Sequence, residues 1–315
     1  MKRILVPLDG TEIAEAVIPD ARMLAGSDGE LILVQDVIRA ARDPETHERT
    51  QRAAVDKSYD YLERKAQELR DQGVTVRVET LVIADTAVAI DEAARIFNVD
   101  LIACATHGRN VFGRLIRGGV AWRAMANSPV PVLLRHIEEL PAVPPLLPAA
   151  PRILVPLDGS EYSETALPLA AELAEEWGAQ LVLEQVIPDL RGSDAPFGYG
   201  AYDMMPEILK SSIRAARLHL ETIAKHLSVP ARVEVCSGPI VEALVAAVQR
   251  NSISHVVIAS HGRTGLPRVV VGSVTDALLH QLHCPIIVIP ALVAKQISDE
   301  LSRFTPPTLV GLTSE

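Results

Sequence analysis

The sequence has few cysteines, no long hydrophobic run and no excess of basic residues, and each absence excludes a class of protein. The three cysteines, Cys104, Cys236 and Cys284, are far apart and lie in or beside apolar runs, which favours buried reduced thiols over a redox or metal role. No apolar run approaches the roughly 18 residues of a transmembrane helix. The formal net charge of -10 disfavours non-specific binding to nucleic acid or to an anionic membrane surface.

Metal ligands and export signals are equally scarce. Of nine histidines, only His280 and His283, followed by Cys284, have a spacing that hints at a metal site. Near a helix end, polar residues with this spacing more often simply terminate the helix than bind a metal. We therefore predict no metal site. The start, Met1-Lys2-Arg3-Ile4, leads into a strand pattern rather than a signal peptide, and we expect a cytoplasmic protein.

What the sequence does contain is an internal repeat. Arg3-Ile-Leu-Val-Pro-Leu-Asp-Gly-Thr11 recurs as Arg152-Ile-Leu-Val-Pro-Leu-Asp-Gly-Ser160. Three further pairs of segments match in the same order: Leu31-Ile-Leu-Val-Gln35 with Leu181-Val-Leu-Glu-Gln185, Ala105-Thr-His-Gly-Arg109 with Ala259-Ser-His-Gly-Arg263, and Pro131-Val-Leu-Leu134 with Pro285-Ile-Ile-Val288. The chain is therefore a tandem repeat of one domain.

The repeat divides the 315 residues into two domains of about 150 residues each. We place the domains at residues 1–137 and 152–291, with a tail at 292–315. Between them, residues 138–151 are rich in proline and predict an extended, semi-rigid spacer. A short helix is expected after Pro290, and the end of the tail is expected to be poorly ordered.

Apolar runs alternate with helical patterns within each copy. The first copy predicts strands near 3–8, 30–37, 74–82, 100–105 and 131–135, and helices near 12–25, 46–72, 86–97 and 118–127. The strands are continuously apolar, which predicts helices on both faces of the sheet. The fold class is therefore α/β, with a doubly wound parallel sheet in each copy.

The apolar faces of the predicted helices indicate which side chains enter the core. In the first copy these are Ile13, Val17, Ala21 and Leu24 on one helix, and Val55, Tyr59, Leu62, Ala66 and Leu69 on the next; in the second copy they are Ala166, Ala170, Leu173 and Trp177. Residues 189–203, rich in glycine and aromatics, replace a shorter connection in the first copy. Two interpretations stay open for them: a flap over a ligand, or an unconstrained surface loop.

The loop from Ala259 to Asp276 is the strongest candidate for a binding site. It connects an apolar strand to a helix and contains Gly262, Gly265 and Gly272, with Arg263 and Arg268 as positive charges. Ser273 and Asp276 have the spacing of a capping box at the helix start. Backbone N–H groups beside such a helix start favour an anion, above all a phosphate. A solvated loop with an ordinary cap is the alternative, because glycine-rich loops are weak signals.

The turn after the first strand of the second copy is a second element of this site. Ligands of doubly wound sheets bind beyond the carboxyl ends of the strands. Asp158, Glu161 and Glu164 cluster at the turn and repel a phosphate while suiting the helix dipole. Phosphates therefore belong on the loop from Ala259, and Asp158 either reads a base or ribose or serves as a turn residue.

With these motifs, both copies resemble the universal stress protein domain, and the whole chain resembles the tandem members of that family. Nucleotide-binding members carry G-x-x-G, nine residues and G-S/T in this loop. The second copy fits as Ala259-x-x-Gly262, nine residues, Gly272-Ser273, and departs only at the first glycine. The methyl group of Ala259 narrows the approach to the ribose.

The resemblance implies which residues hold an adenine nucleotide. Gly262, Gly272, Ser273 and Val274 would hold the phosphates, with Arg263 supplying charge. Pro156, Leu157, Asp158, Val186, Ile258 and Ala259 would frame the adenine and ribose. ATP, ADP or AMP is the implied ligand, with Mg²⁺ as an accompanying ion if ATP is bound.

The first copy departs further from the motif. Its loop reads Ala105-x-x-Gly108, nine residues, Gly118-Gly119, so the hydroxyl is lost, and Asp36 stands where the second copy has Val186. Arg109, Arg114 and Arg117 remain for some other anion. We interpret the first copy as a degenerate partner domain with a largely structural role.

The resemblance also implies a fold and a mode of action. The fold would be Rossmann-like, of the adenine nucleotide alpha hydrolase kind, with strand order 3-2-1-4-5 in each domain. Pairing of the two last strands would make a pseudo-symmetric dimer within one chain, and an otherwise open apolar edge supports that pairing independently. A homo-oligomer of whole chains, a dimer, is also expected.

The expected function is a non-catalytic, ligand-sensing nucleotide-binding protein of the stress response. A nucleotide-free dimeric interaction module is the first alternative, and Ala259 is its best support. A slow ATPase is the second alternative. The sequence has no P-loop motif, and His261, the one candidate base, is more typical of a residue that fixes the loop.

Overall fold

The computed structural model describes residues 1–37, 44–83, 85–107, 128–137, 147–188, 205–260 and 272–304. The helix predicted near 118–127, most of the spacer and the segment 189–203 lie outside these residues. So do Gly262, Arg263 and His261, together with the motif glycines and arginines of the first copy. Predictions made for them stay predictions.

Strands and helices alternate in both halves, as the sequence predicts. The first half contains β1 (Arg3–Pro7), α1 (Glu12–Glu15), α2 (Ile18–Ala25), β2 (Glu30–Asp36), α3 (Pro44–Arg70), β3 (Thr75–Leu81), α4 (Thr86–Ile96), β4 (Leu101–His107) and β5 (Val132–Ile137). The second half contains β6 (Arg152–Leu157), α5 (Glu161–Glu164), α6 (Leu167–Trp177), β7 (Gln180–Ile187), α7 (Met205–His226), β8 (Ala231–Ser237), α8 (Ile240–Arg250), β9 (His255–Ala259), α9 (Ser273–Gln281), β10 (Ile286–Ile289) and α10 (Ala291–Phe304). Within the residues described, none of these helices is both long and apolar enough to cross a bilayer.

The ten strands form one continuous sheet in the order β3-β2-β1-β4-β5-β10-β9-β6-β7-β8. Each half contributes a parallel unit with the predicted order 3-2-1-4-5. The halves meet where β5 and β10 pair antiparallel, with Leu133 opposite Ile287. The expected pairing of the two last strands is therefore confirmed, and it satisfies the backbone groups of both strand edges.

Both faces of the sheet are covered, which confirms the interpretation of the continuously apolar strands. Ile4 and Val6 point into one core cluster, together with Val17 and Leu62. Leu5, between them, points into the cluster on the opposite face. Successive residues of a strand face opposite sides, so a strand buried on both sides needs no polar alternation.

The single helix predicted near 12–25 is wrong in detail, because the structure breaks it in two. Helix α1 ends at Glu15, and α2 starts at Ile18 with Pro19 in its first turn. The second half repeats the break, with Pro168 in the first turn of α6. Proline lacks an N–H and clashes with the preceding turn, so it is tolerated only near a helix start.

The predicted core face of α3 is wrong at Tyr59, which is 49% exposed. Ser58 is buried in its place, while Leu62, Ala66 and Leu69 are buried as predicted. The buried face of α3 therefore includes Ser58, a small polar residue. Apolar periodicity favours the larger neighbour, because it cannot report how near the helix comes to the strands.

One charged pair is buried beside the seam between the halves. Arg135 on β5 donates from Nη1 to Oδ1 and Oδ2 of Asp20 on α2, at 2.9 and 3.1 Å. Burial outweighs this ion pair and raises the pKa of Asp20 to about 6. Across the seam, burial and, to a smaller extent, the charge of Arg135 lower the pKa of His255 to about 4.

The helix predicted after Pro290 is present as α10. Its residues Val293 and Ala294 are buried in the core cluster that contains Ile4 and Val6. This helix is therefore part of the folded core. Of the predicted tail, the segment after Phe304 lies outside the described residues.

Candidate functional site

The turn after β6 is built around Asp158. Its Oδ1 accepts hydrogen bonds from the backbone N–H of Ser160 at 2.9 Å and from the Ser160 hydroxyl at 2.5 Å. Ser160 in turn caps α5, since its Oγ accepts from the N–H of Ser163. In the first half, Asp9 and Thr11 make the same contacts. The turn role weighed for Asp158 is therefore present in both halves.

The start of α9 differs from the capping box predicted for it. The N-cap is Gly272, and Ser273 is already the first helical residue. The N–H of Gly272 donates to the carbonyl of Ser260 at 2.7 Å, and the carbonyl of Gly272 accepts from Asp276 N–H at 2.9 Å. The capping box is thus wrong, because the bond to Ser260 fixes Gly272 as the last residue before the helix. Having no side chain, Gly272 cannot cap the N–H groups of the first turn.

A cavity of about 240 Å³ lies between these two elements. It contacts nine of the eleven residues predicted to bind a nucleotide: Pro156, Leu157, Asp158, Val186, Ile258, Ala259, Gly272, Ser273 and Val274. The remaining two, Gly262 and Arg263, lie outside the described residues. Strands β9, β6 and β7 are neighbours in the sheet, so their carboxyl ends bring together residues that are far apart in sequence.

Sequence reasoning missed six residues that also line the cavity. They are Ser163, Glu184, Ile240, Leu244, Ser260 and Thr275. Ile240 and Leu244 come from α8, whose docking against the sheet no local motif reports. Five of the six are small or apolar, and Glu184 is the exception.

Glu184 is a buried carboxyl group in the wall of this cavity, 1% exposed. Its Oε1 accepts from the thiol of Cys236 at 3.6 Å and lies 3.6 Å from Nη2 of Arg250. Its Oε2 is buried, and within the part of the chain that the structure describes it has no hydrogen-bond partner. Burial, together with a smaller repulsion from Glu234, raises the pKa of Glu184 to about 7 against the opposing effects of Arg250 and Cys236. A signal existed in the sequence, since Glu184 interrupts an apolar strand where the first copy has Val34.

At the two corresponding positions of β2, the first half has the acidic and the apolar residue in the opposite order. Pro7 is in register with Val34, as Pro156 is with Glu184, so Asp36 is the counterpart of Val186. Asp36 accepts from the Thr86 hydroxyl at 2.6 Å. The acid of the first half is therefore bound within its own fold, and it occupies the place where the second half offers an apolar wall.

We expect Glu184→Gln to raise the free energy of unfolding above pH 7 by about 1–3 kcal/mol. The folded carboxyl keeps its proton to about pH 7, whereas the unfolded one releases it near 4.5. Wild-type stability therefore falls as the pH rises between these values, and the amide variant escapes that loss. Urea unfolding at pH 5 and pH 8 measures the effect.

Asp20 and Asp91 also have raised pKa values, both about 6, so they too make the free energy of unfolding fall as the pH rises. The quantity that tests the prediction is therefore the difference between wild type and variant at each pH. A difference of equal size at pH 5 and pH 8 would contradict it.

The comparisons with known proteins agree on one family. A model of the universal stress protein family matches residues 1–136 and 150–290. A universal stress protein of Methanocaldococcus jannaschii is 26% identical over 138 residues, which cover 44% of this chain and 81% of that protein. One from Mycobacterium tuberculosis is 29% identical over 190 residues, which cover 60% of this chain and 61% of its own length.

Solved structures show the same fold over nearly the whole chain. A universal stress protein from Archaeoglobus fulgidus has a TM-score of 0.61 at 18% identity and covers 91% of this chain and 96% of its own. A functionally unknown protein from Pseudomonas aeruginosa has a TM-score of 0.65 at 18% identity, with coverages of 96% and 98%. At this level of identity the likeness concerns the fold alone.

Proposed function

The chain belongs to the universal stress protein family, with one family domain in each half, and from this premise we propose that its second half binds an adenine nucleotide as a non-catalytic, ligand-sensing regulator. The observation that carries the proposal is the cavity of about 240 Å³ between the Asp158 turn and the start of α9. It joins a polar end to an apolar end, as a nucleotide requires.

The polar end is the start of α9. Gly272, Ser273 and Val274 line the cavity there, and the N-cap offers no side chain to the N–H groups of the first turn. Such N–H groups, together with the positive end of the helix dipole, suit the oxygens of a phosphate. The absence of a capping box supports the proposal, because a capping side chain would compete with that anion.

The apolar end consists of side chains from two strands and α8. Val186, Ile258, Ile240 and Leu244 supply apolar surface, against which a purine ring would pack. Asp158, held by Ser160, lies along the same cavity and is suited to accept from a ribose hydroxyl. We assign the first half a structural role, since its Asp36 stands where this wall has Val186.

Isothermal titration with ATP, ADP, AMP and cyclic AMP tests the proposal, and Mg²⁺ is varied in the ATP titration. We expect saturable heat with at least one ligand at a stoichiometry of one per chain. Mass spectrometry of the purified protein is a cheaper first experiment, because a nucleotide carried through purification appears directly. Absence of heat at millimolar ligand, with no bound nucleotide, would remove the nucleotide role.

A nucleotide-free interaction module is the second candidate, and Ala259 is the observation that favours it. Ala259 is 4% exposed and lines the cavity, where binding members of the family have the first glycine of the motif. Its methyl group takes up space that a glycine would leave open to the ligand.

We expect Ala259→Gly to raise AMP affinity about three- to tenfold, because removing one methyl group relieves about 1 kcal/mol of crowding. Isothermal titration measures the affinity, and Ala105→Gly, at the matching position of the first half, is the control. An unchanged affinity in both variants would show that the methyl group does not limit binding.

We further propose that a bound nucleotide is not turned over. The sequence contains no P-loop motif, and a lysine-bearing phosphate loop is the usual means of stabilising phosphoryl transfer. Steady phosphate release from ATP that is lost in His261→Ala would overturn this part of the proposal.

A further inference from the structure

Glu184 carries an inference that rests on the proposed function and goes beyond it. A carboxyl group in the wall of a ligand cavity normally has both oxygens hydrogen-bonded or solvated. Glu184 is 1% exposed, and none of the described residues hydrogen-bonds its Oε2. An unsatisfied polar atom in a buried wall is costly. Oε2 has almost no accessible surface, so a ligand in the cavity would satisfy it only after the carboxyl group turns toward the cavity.

Arg250 does not neutralise Glu184 in the way a dedicated ion-pair partner would. Its Nη2 lies 2.5 Å from Oε2 of Glu234 and 3.6 Å from Oε1 of Glu184. Glu234 also accepts from the side chain of Asn251 at 3.3 Å, so the arginine and Glu234 form the close pair. The pKa of Glu234 agrees with this pairing. Partial burial raises it, but the hydrogen bonds from Arg250 and Asn251 outweigh burial, so the pKa of Glu234 is lowered.

The other groups that face Glu184 leave its proton in place. Cys236 on β8 stays a thiol, because burial and Glu184 itself raise its pKa to about 11. Glu234, also on β8, repels a second negative charge. Asp158, at the end of β6, lines the same cavity. Among these groups, Arg250 on α8 is the one that favours ionisation of Glu184 by its charge.

The position of Glu184 in the sheet places it at the base end of the cavity. Strand β7 is two strands away from β9, with β6 between them. Neighbouring strands are about 4.8 Å apart, so Glu184 lies about 10 Å across the sheet from the strand that leads to α9. A ligand whose phosphate lies at Gly272 would therefore extend its base toward the strand that carries Glu184.

We propose that Glu184 recognises the base of the nucleotide as a neutral carboxylic acid, whose carboxyl group turns toward the cavity when the ligand binds so that Oε2 donates its proton to a ring nitrogen of adenine. Oε1 remains the acceptor for the Cys236 thiol. Ionised, the carboxylate can only accept hydrogen bonds, and it would face a ring nitrogen that is also an acceptor. Binding therefore requires the protonated form, and the proton comes from solvent.

The consequence is that nucleotide binding depends on pH near neutrality. With a pKa of about 7 for Glu184, half of the protein is ready to bind at pH 7, and binding takes up about half a proton. Apparent affinity falls about tenfold between pH 6 and pH 8 through this group alone. The second half of the chain would act as a sensor of nucleotide and proton together.

The experiment measures AMP affinity of wild type, Glu184→Gln and Glu184→Met by isothermal titration at pH 6, 7 and 8. An amide N–H donates in place of the acid proton, so Glu184→Gln should bind AMP at every pH. Glu184→Met fills the space without a donor and should lose about tenfold or more at pH 6. Because the AMP phosphate itself titrates near pH 6, the decisive quantity is the affinity ratio of wild type to Glu184→Gln, which should fall about tenfold between pH 6 and pH 8.

Proton uptake gives an independent reading of the same group. Titration at pH 7 in buffers of different ionisation enthalpy should show about half a proton more taken up by wild type than by Glu184→Gln. Asp36→Asn changes the acid on the second strand of the first half, and it should leave both the affinity and the proton uptake unchanged. Thermal unfolding confirms that each variant is folded.

The experiment distinguishes failure of the base-reading role from failure of the proposed nucleotide binding. If wild type binds AMP with a pH profile parallel to that of Glu184→Gln, and Glu184→Met binds equally well, the base-reading role is wrong and the nucleotide site stands. If folded wild type binds no adenine nucleotide even at pH 6, the proposed function itself is wrong, and the role of Glu184 goes with it.

Discussion

Gly272→Val should lower AMP affinity by at least about 100-fold, or about 2.7 kcal/mol. Gly272 has φ −60° and ψ 147°, angles that any residue adopts without strain. Valine therefore adds bulk, and little else, at the point where a phosphate must approach the N–H groups of α9. Isothermal titration with AMP measures the loss, and the melting temperature checks that the fold survives.

Gly118→Val is the matched control, because Gly118 occupies the corresponding motif position in the first half. It lies outside the described residues, and the resemblance alone assigns it no phosphate. We expect AMP affinity to change less than about twofold, which corresponds to about 0.4 kcal/mol. Equal losses in the two variants would contradict the assignment of the site to the second half.

Arg135→Met should lower the free energy of unfolding at pH 8 by about 3–5 kcal/mol. Asp20, 1% exposed, would be left with a buried charge and without its two hydrogen bonds from Arg135. Breaking a buried pair by removing one partner costs more than the pair itself contributes. Urea unfolding at pH 8 is the measurement.

The dependence on pH and a double variant identify the cause of that loss. The pKa of Asp20, about 6 with Arg135 present, rises further without it, so at pH 5 the carboxyl is neutral and the loss should be smaller. Asp20→Leu combined with Arg135→Met removes both charges and should restore stability to within about 1 kcal/mol of wild type. If the double variant were as unstable as Arg135→Met, lost packing rather than a stranded charge would be the reason.

The architecture could be predicted because its signals are local or repeated. The recurrence of Arg3–Thr11 as residues 152–160 reveals two copies, and the continuously apolar strands reveal a sheet covered on both faces. The pairing of β5 with β10 follows from the same reasoning, since an apolar last strand needs a partner. Nine of the predicted site residues line one cavity because ends of neighbouring parallel strands lie at one edge of the sheet.

The errors and omissions have tertiary causes. The S-x-x-D spacing of Ser273 and Asp276 satisfies a capping rule, yet a hydrogen bond from Gly272 to Ser260 determines where α9 begins. Tyr59 is apolar enough for the core, but its neighbour Ser58 is the residue that the tertiary structure buries. Glu184 is visible in the sequence, whereas the burial of its carboxyl group depends on how β8 and α8 surround it.

The antiparallel seam between β5 and β10 also determines what the chain has left to offer a second copy of itself. The last strand of each half pairs with the last strand of the other, so β3 and β8 are the edge strands of the sheet. There, matched positions carry the ion pairs Arg77 with Glu79 and Arg232 with Glu234, and charges on an outer strand oppose the addition of another. Both edges of the described sheet therefore oppose the addition of a strand, and if two chains pair, we expect them to contact each other through helices.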